Sequence, residues 1–141
     1  MLHIQIITIG KTKKLGLQEA IDEYLKRLKG HVQLKVEYLT SNQHLNTRLK
    51  SLKGTHIVLD EKGLNLSSPQ FSQQLYAIAS HKGPKINFII GGAEGLDEEI
   101  KNKNECWSLS PLTLTHQMIR LLLVEQLYRA YEISKGSKYH K

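Results

Sequence analysis

Glu125 and Arg129 stand four residues apart in LLLVEQLYRAY, among Leu121, Leu122, Val124, Leu127 and Tyr128. On a helix that spacing sets a carboxylate beside a guanidinium; on a solvated face such a pair is worth about 0.3–0.5 kcal/mol. So apolar a setting argues instead for a half-buried pair. Its arginine can hold a phosphate, or meet negative charge as it develops on a substrate. A second candidate is FIIGGAEGLDEEI, residues 88–100, where an apolar run stops at Gly91 and Gly92 and Gly95 follows. Bare backbone there permits close approach by a ligand. The stretch is not GxGxxG and lacks the Lys-Ser/Thr of a phosphate loop, so nucleotide phosphate is a poor match. A plain tight turn is the competing account. The third candidate is SPLTLTH, residues 110–116, with small hydroxyls, two leucines and His116. His116 is either a pocket residue or a helix-start residue that shapes the loop.

These stretches need a scaffold, and the pattern supplies one. Strand-like segments are LHIQIITIG (2–10), VQLKVEYL (32–39), THIVLD (55–60), INFII (86–90) and CWSLS (106–110). Between and after them the spacing predicts helices over 15–28, 42–54, 67–83, 96–104 and 115–134. The 67–83 helix opens on serine with Pro69 and closes on glycine. INFII is apolar throughout, as a strand buried on both faces must be. Five strands alternating with five helices predict an α/β fold, a mostly parallel five-stranded sheet with helices on both faces. No repeat or linker divides the chain, so residues 1–141 read as one domain. Ligands of such sheets bind at the carboxyl ends of strands. Three ends stand out: LDEKG, GGAEG and SLSPLTLTH. Leu112 and Leu114 would be wasted in a solvated loop but make sense lining a pocket floored by Gly91 and Gly92. An apolar pocket without a phosphate anchor suits an adenosine-type ligand without phosphate, such as S-adenosylmethionine.

Bulk properties narrow the classes further. Lys and Arg outnumber Asp and Glu by 20 to 13, a net charge of +7 spread along 141 residues. A diffuse excess suits a protein that visits a polyanion without coating it. With Cys106 alone, an intrachain disulfide and a CxxC zinc site are both excluded, and no metal is expected. Without a signal segment or a membrane-length apolar run, the expectation is a cytoplasmic protein with no membrane partner. Trp107 reads as core.

FIIGGAEG, WSLSPLTLTH, IRLLLVEQLYRAYEI and the terminal SKYHK, with the opening HIQIITIGK, together resemble the RlmH family of the SPOUT class of methyltransferases. The likeness spans the whole chain; its motifs are dense over 88–141 and thin over 40–80. It implies an S-adenosylmethionine-dependent enzyme that methylates N3 of a pseudouridine (position 1915) in 23S rRNA of the assembled 70S ribosome, with no DNA partner. It implies an obligate homodimer, each cofactor pocket completed near the partner chain. It also implies a C-terminal trefoil knot, where alternation alone predicts an unknotted sheet. By this resemblance the cofactor touches Leu59, Gly91, Ser110, Pro111, Leu112, Thr113, Leu114 and Thr115, with Gly92 in the floor. The tail enters the active site. Tyr139 stacks on the target base, His140 handles a proton or phosphate, and both join Glu125 and Arg129 as catalytic residues. Lys135, Lys138 and Lys141 become phosphate contacts.

The chemistry is consistent with that set. Methyl transfer from a sulfonium is an in-line displacement that requires positioning, worth up to about 7–11 kcal/mol in ideal cases. N3 of a pseudouridine carries an imide proton, so a base or stabilisation of the anion helps. A nucleotide-binding oxidoreductase would want GxGxxG after the first strand, where the chain reads IGKTKKLG. A non-catalytic RNA- or ribosome-binding α/β protein would account for the charge but not for the pocket.

Overall fold

The structure, a computed structural model, describes residues 1–140. Five parallel strands form one sheet: β1 (His3–Ile9), β2 (Gln33–Leu39), β3 (Thr55–Asn65), β4 (Lys85–Ile90) and β5 (Glu105–Ser108), in the order β2-β1-β4-β3-β5. The helices are α1 (Leu15–Leu28), α2 (Asn42–Ser51), α3 (Ser68–Lys82), α4 (Glu98–Lys103) and α5 (His116–Ser134). The alternation read from the sequence is therefore the one observed. None of these helices is long and apolar enough to cross a membrane.

The two-residue period of the strands divides the core. Ile4, Ile6, Ile57, Ile86, Phe88 and Ile90 pack with α1, α3 and α5 through Ile21, Leu28, Phe71, Leu75, Leu123, Val124 and Leu127. Ile7, Val58 and Ile89 point the other way and meet Leu45 of α2 and Ile100 of α4. Trp107 is buried as expected, edge-on to Phe71 at 5.4 Å and Phe88 at 6.1 Å. The serine–proline signal is realised as a full capping box. Ser67 Oγ accepts from the Gln70 backbone N–H, and the Gln70 side chain accepts from the Ser67 N–H.

One expectation changes. The third strand does not stop at residue 60. It shifts register against β5 between Leu59 and Leu64, both opposite Trp107, and continues to Asn65. Asp60, Glu61, Lys62 and Gly63 form the irregularity, and a Cβ on Gly63 would lie 2.7 Å from the Cys106 carbonyl carbon, so only glycine passes there. The long helix α5 is largely covered within the chain. It packs against both α1 and α3, and of its large apolar residues Met118, at 38%, is the exposed one. Because β5 lies at the sheet edge beyond β3 while α5 packs beside α1, residues 109–115 must recross the carboxyl ends of the strands.

Candidate active site

The irregular stretch of β3 and the carboxyl ends of β4 and β5 surround a cleft of about 220 Å³. Its apolar lining includes Leu59, Ile90, Leu96, Leu109, Leu112, Leu114 and Ile119, with the backbone of Gly91, Gly92 and Gly95. Gly92 and Gly95 close a tight turn, Gly95 N–H donating to Gly92 O at 3.0 Å with Gly95 at φ +77. A Cβ at Gly91 would meet Gly95 at 2.9 Å, and one at Gly92 would meet Ile9 Cγ2 at 3.1 Å. The room these glycines leave is thus taken by the protein itself; they serve the turn, and the turn presents the cleft with backbone.

Of the 110–115 run, Leu112, Thr113 and Leu114 line the cleft, whereas Ser110, Pro111 and Thr115 do not. Ser110 shapes the loop, its Oγ accepting from Leu112 N–H at 3.0 Å. Thr115 caps α5, accepting from Met118 N–H at 3.2 Å. Asp60 and Glu61, the next two residues of the LDEKG end singled out in the sequence, also line the cleft. Thr113 Oγ1 donates to Glu61, joining the loop to β3. Lys101 enters the lining but lies 3.6 Å from both Asp60 and Glu98. His116 lines the cleft too, held below the ordinary histidine pKa by burial and then by Arg120 and Lys13. Among the described residues no group of three or more His, Cys, Asp or Glu side chains could hold a metal ion.

The second cluster lies farther along α5. Arg129 and Glu125 form a two-pronged pair, Nη2 to Oε1 at 2.7 Å and Nε to Oε1 at 3.0 Å. Their side chains are 24% and 18% exposed, the half-burial that their apolar setting predicts. The tail folds back onto them. Arg129 Nη1 lies 3.1 Å from His140 Nδ1, its guanidinium sits 4.9 Å from the Tyr139 ring centre, and Tyr139 Oη donates to Glu125 at 3.4 Å. Tyr128 meets the Tyr139 ring edge-on at 4.9 Å. Since a guanidinium can only donate, His140 Nδ1 accepts, and the remaining hydrogen sits on Nε2. Burial first, then the Glu125 charge, pushes the Tyr139 hydroxyl up, so it remains a donor; the bond to Glu125 raises Arg129. All four residues selected on the helix and tail are therefore in one place. Lys138 is exposed, Lys135 pairs with Glu132 at 3.4 Å, and Lys141 lies outside the described residues.

What turns the tail back is Gly136, at φ +73, together with Glu132, a residue that the sequence did not single out. Ser137 N–H donates to the Glu132 carbonyl at 3.1 Å, and Ser137 Oγ donates to its buried carboxylate. The Ser137 bond, more than any other contact, holds that carboxyl below its usual pKa. A depressed carboxylate contributes stability that is present above its unfolded pKa and lost as pH falls through the folded one. Glu132→Gln is therefore expected to loosen the tail at neutral pH by a charged hydrogen bond, about 1.5 kcal/mol or roughly tenfold in docked population. Amide exchange of Tyr139 would report it, and unchanged protection would show that Gly136 alone sets the tail's path.

Residues 2–140 match the family model described as "Predicted SPOUT methyltransferase". The chain is 42% identical over 143 residues to Ribosomal RNA large subunit methyltransferase H of Protochlamydia amoebophila, covering 100% of both. It is 38% identical to the protein of that name from Bacillus cytotoxicus, covering 99% of this chain and 100% of that one. The counterpart from Dictyoglomus thermophilum is 36% identical, with 99% of each covered. TrmJ from Z. mobilis ZM4 superimposes with a TM-score of 0.52 at 8% identity, over 92% of this chain and 70% of that one, a likeness of fold.

Proposed function

The chain belongs to the SPOUT methyltransferase family, among its large-subunit ribosomal RNA methyltransferases, and from that premise we infer how its two clusters divide the reaction. The cleft holds S-adenosylmethionine, and the Glu125–Arg129–Tyr139–His140 cluster receives N3 of a pseudouridine in 23S rRNA of the assembled 70S ribosome. When bound, S-adenosylmethionine supplies a methyl group already activated on a sulfonium. The residues fit that group. Leucine and isoleucine side chains suit an adenine, and the lip of the cleft carries Asp60 and Glu61, whose charge suits a cationic ligand. The one lysine in the lining is occupied by carboxylates, so no phosphate anchor is offered.

On the acceptor side, Tyr139 stacks on the base. Arg129 and the Nε2–H of His140 face the carbonyl edge on which charge collects as the imide proton leaves. Glu125 holds Arg129 in place. The chain is read as one SPOUT-like domain over 1–141 and as a homodimer. Two observations support the dimer. A cleft of about 220 Å³ falls short of the roughly 300–1,000 Å³ typical of ligand sites, as expected if a second chain completes it. Leu112 on the cleft and Met118 in the first turn of α5 are exposed apolar residues at the same end of the molecule. A trefoil knot is likewise proposed. Its support is the passage of residues 109–115 over the irregular stretch of β3, where Thr113 bonds Glu61.

The observation that carries this reading is the docking of the tail on Arg129 and Glu125, which builds an acceptor site from residues otherwise free to be a chain end. It is tested by incubating the protein and S-adenosylmethionine with ribosomes from a strain lacking it and mapping the methyl group. Methylation at N3 of one pseudouridine is expected. A naked stem-loop of the same sequence should be a poor substrate, since a 16.1 kDa chain has little surface for reading sequence. Efficient methylation of the stem-loop, or a methyl group on another atom, would refute it.

A further inference from the structure

Arg120 is 2% exposed, yet among the described residues no carboxylate contacts it. Nε donates to Thr8 Oγ1 at 2.8 Å and Nη1 to Thr12 Oγ1 at 3.1 Å; Nη2 donates to the carbonyls of Ile9 and Gly10, both at 2.7 Å. The Tyr38 ring lies 5.3 Å away. A buried arginine is ordinarily paired with an acid. This one spends its donors on neutral acceptors of a single short segment, so its hydrogen bonds are satisfied while its charge is not cancelled.

The end of that segment, residues 10–14, reads GKTKK. Its path is fixed at further points. Gly10 N–H donates to Leu39 O at 2.8 Å with φ +82, and Lys13 N–H donates to Gln117 Oε1 at 3.0 Å. The backbone is thereby tied to β1, β2 and α5, while Lys11, Lys13 and Lys14 have exposed side chains and no ion pair among the described residues. The strap borders the methyl-donor cleft. Ile9 abuts Gly92, and Gln117 follows His116, which lines the cleft. Lys13 of the strap, after burial and Arg120, contributes to the lowered pKa of His116, so the strap's charge is felt at the cleft lining.

We propose that this strap, with Lys11, Lys13 and Lys14 fixed on a backbone that Arg120 positions, grips the phosphate backbone of the RNA substrate at the mouth of the donor cleft. The lysines are not part of the cleft lining, and a cationic donor gains nothing from three further cations. A polyanion does, because each lysine that neutralises a phosphate releases a condensed counterion. A fixed strap also spares the ordering cost that three lysines on a mobile loop would incur on binding. This inference rests on the RNA methyltransferase reading.

The test uses the full chain, purified ribosomes and S-adenosylmethionine. The triple variant Lys11→Gln, Lys13→Gln, Lys14→Gln should raise the KM for ribosomes about tenfold or more at physiological salt, and leave the maximal single-turnover rate and the calorimetric affinity for S-adenosylmethionine within about twofold. Its log–log salt dependence of ribosome binding should be shallower by about two to three, since each phosphate left without its lysine lowers the slope by about 0.7–0.9. Arg120→Lys keeps a cation but not the fork, and should show part of the KM rise. Should it fold poorly, Thr12→Val removes one tether and should give a smaller rise in KM with the same rate at saturation. An unchanged salt slope in the triple variant, with the wild type active, overturns the proposal alone. Weakened S-adenosylmethionine affinity in place of ribosome affinity overturns it in favour of a donor-side role. A wild-type chain that binds S-adenosylmethionine but neither binds nor methylates ribosomes overturns it together with the reading beneath it.

Discussion

His140→Ala lowers single-turnover methyl transfer to ribosomes by about 10²–10⁴-fold while S-adenosylmethionine affinity stays within about twofold; that is the expected result if the tail serves the acceptor alone. The separation follows from the layout. His140 contacts Arg129, on the second half of α5, whereas the cleft takes only the first turns of that helix, at His116 and Ile119. The tautomer sharpens the expectation. With Nδ1 accepting from Arg129, the ring offers its Nε2–H to the substrate as a donor. His140→Gln, which keeps a donor, should therefore recover part of the rate if charge stabilisation is the main contribution, and none if the ring must take the proton. Tyr139→Phe loses only the 3.4 Å bond to Glu125 and should cost much less than removal of residues 139–141. Unchanged transfer by the truncated chain would mean that the docked tail is an ordinary chain end.

A mixture of two inactive chains regains roughly a quarter of wild-type activity, provided that each active site draws on both protomers of a symmetric dimer. The first chain carries Leu114→Trp, which fills the cleft; the second carries His140→Ala. The helical rise of about 1.5 Å per residue places Glu125 roughly 14 Å and Arg129 roughly 20 Å beyond His116 along α5. An in-line transfer needs its reacting atoms about 3–3.5 Å apart. The tail cluster and cleft of one chain are too far apart along a rigid helix to share a methyl group, so in the proposed dimer the tail of one protomer serves the cleft of the other. Half of randomly reassorted dimers are mixed, and each mixed dimer has one intact pairing, hence the quarter. Activity that stays at background after subunit exchange, shown complete by mass, would place both halves of the reaction in one chain.

The sequence reading succeeds where the signal is local. The apolar INFII is the buried β4, and Ser67 with Pro69 marks a capped helix start. Glu125 and Arg129 betray their pairing because their spacing and apolar neighbours lie together in the one stretch LLLVEQLYRAY. It fails where the cause is a distant partner. DEKG has turn composition, and nothing along the chain says that β5 lets β3 slip register and resume beyond Gly63. LDEKG marks a strand end at the cleft, but nothing along the chain says that Thr113 of the 109–115 loop bonds Glu61 there. Arg120 in IRLLLVEQ reads as the polar face of a helix; its partner Thr8 is 112 positions away. Tyr139 and His140 needed the family likeness, since a terminal Tyr-His is by itself no signal.

The placement of α5 has a consequence for how the protein is made. Leu123, Val124, Leu127 and Ala130 complete the cluster over β1, β3 and β4, yet they are synthesised after every strand. Until they emerge, Ile6, Phe88 and Ile90 lack one of their three helical covers, and Arg120 has not yet joined Thr8 across 112 residues. A nascent chain lacking α5 should therefore be collapsed but not cooperatively folded, and should depend on chaperones that shield apolar sheet surface. Closing contacts of such long sequence separation slows folding as well as delaying it. Maturation is thus deferred until translation has passed the final helix, and a chain cut short before α5 leaves an open sheet for proteases.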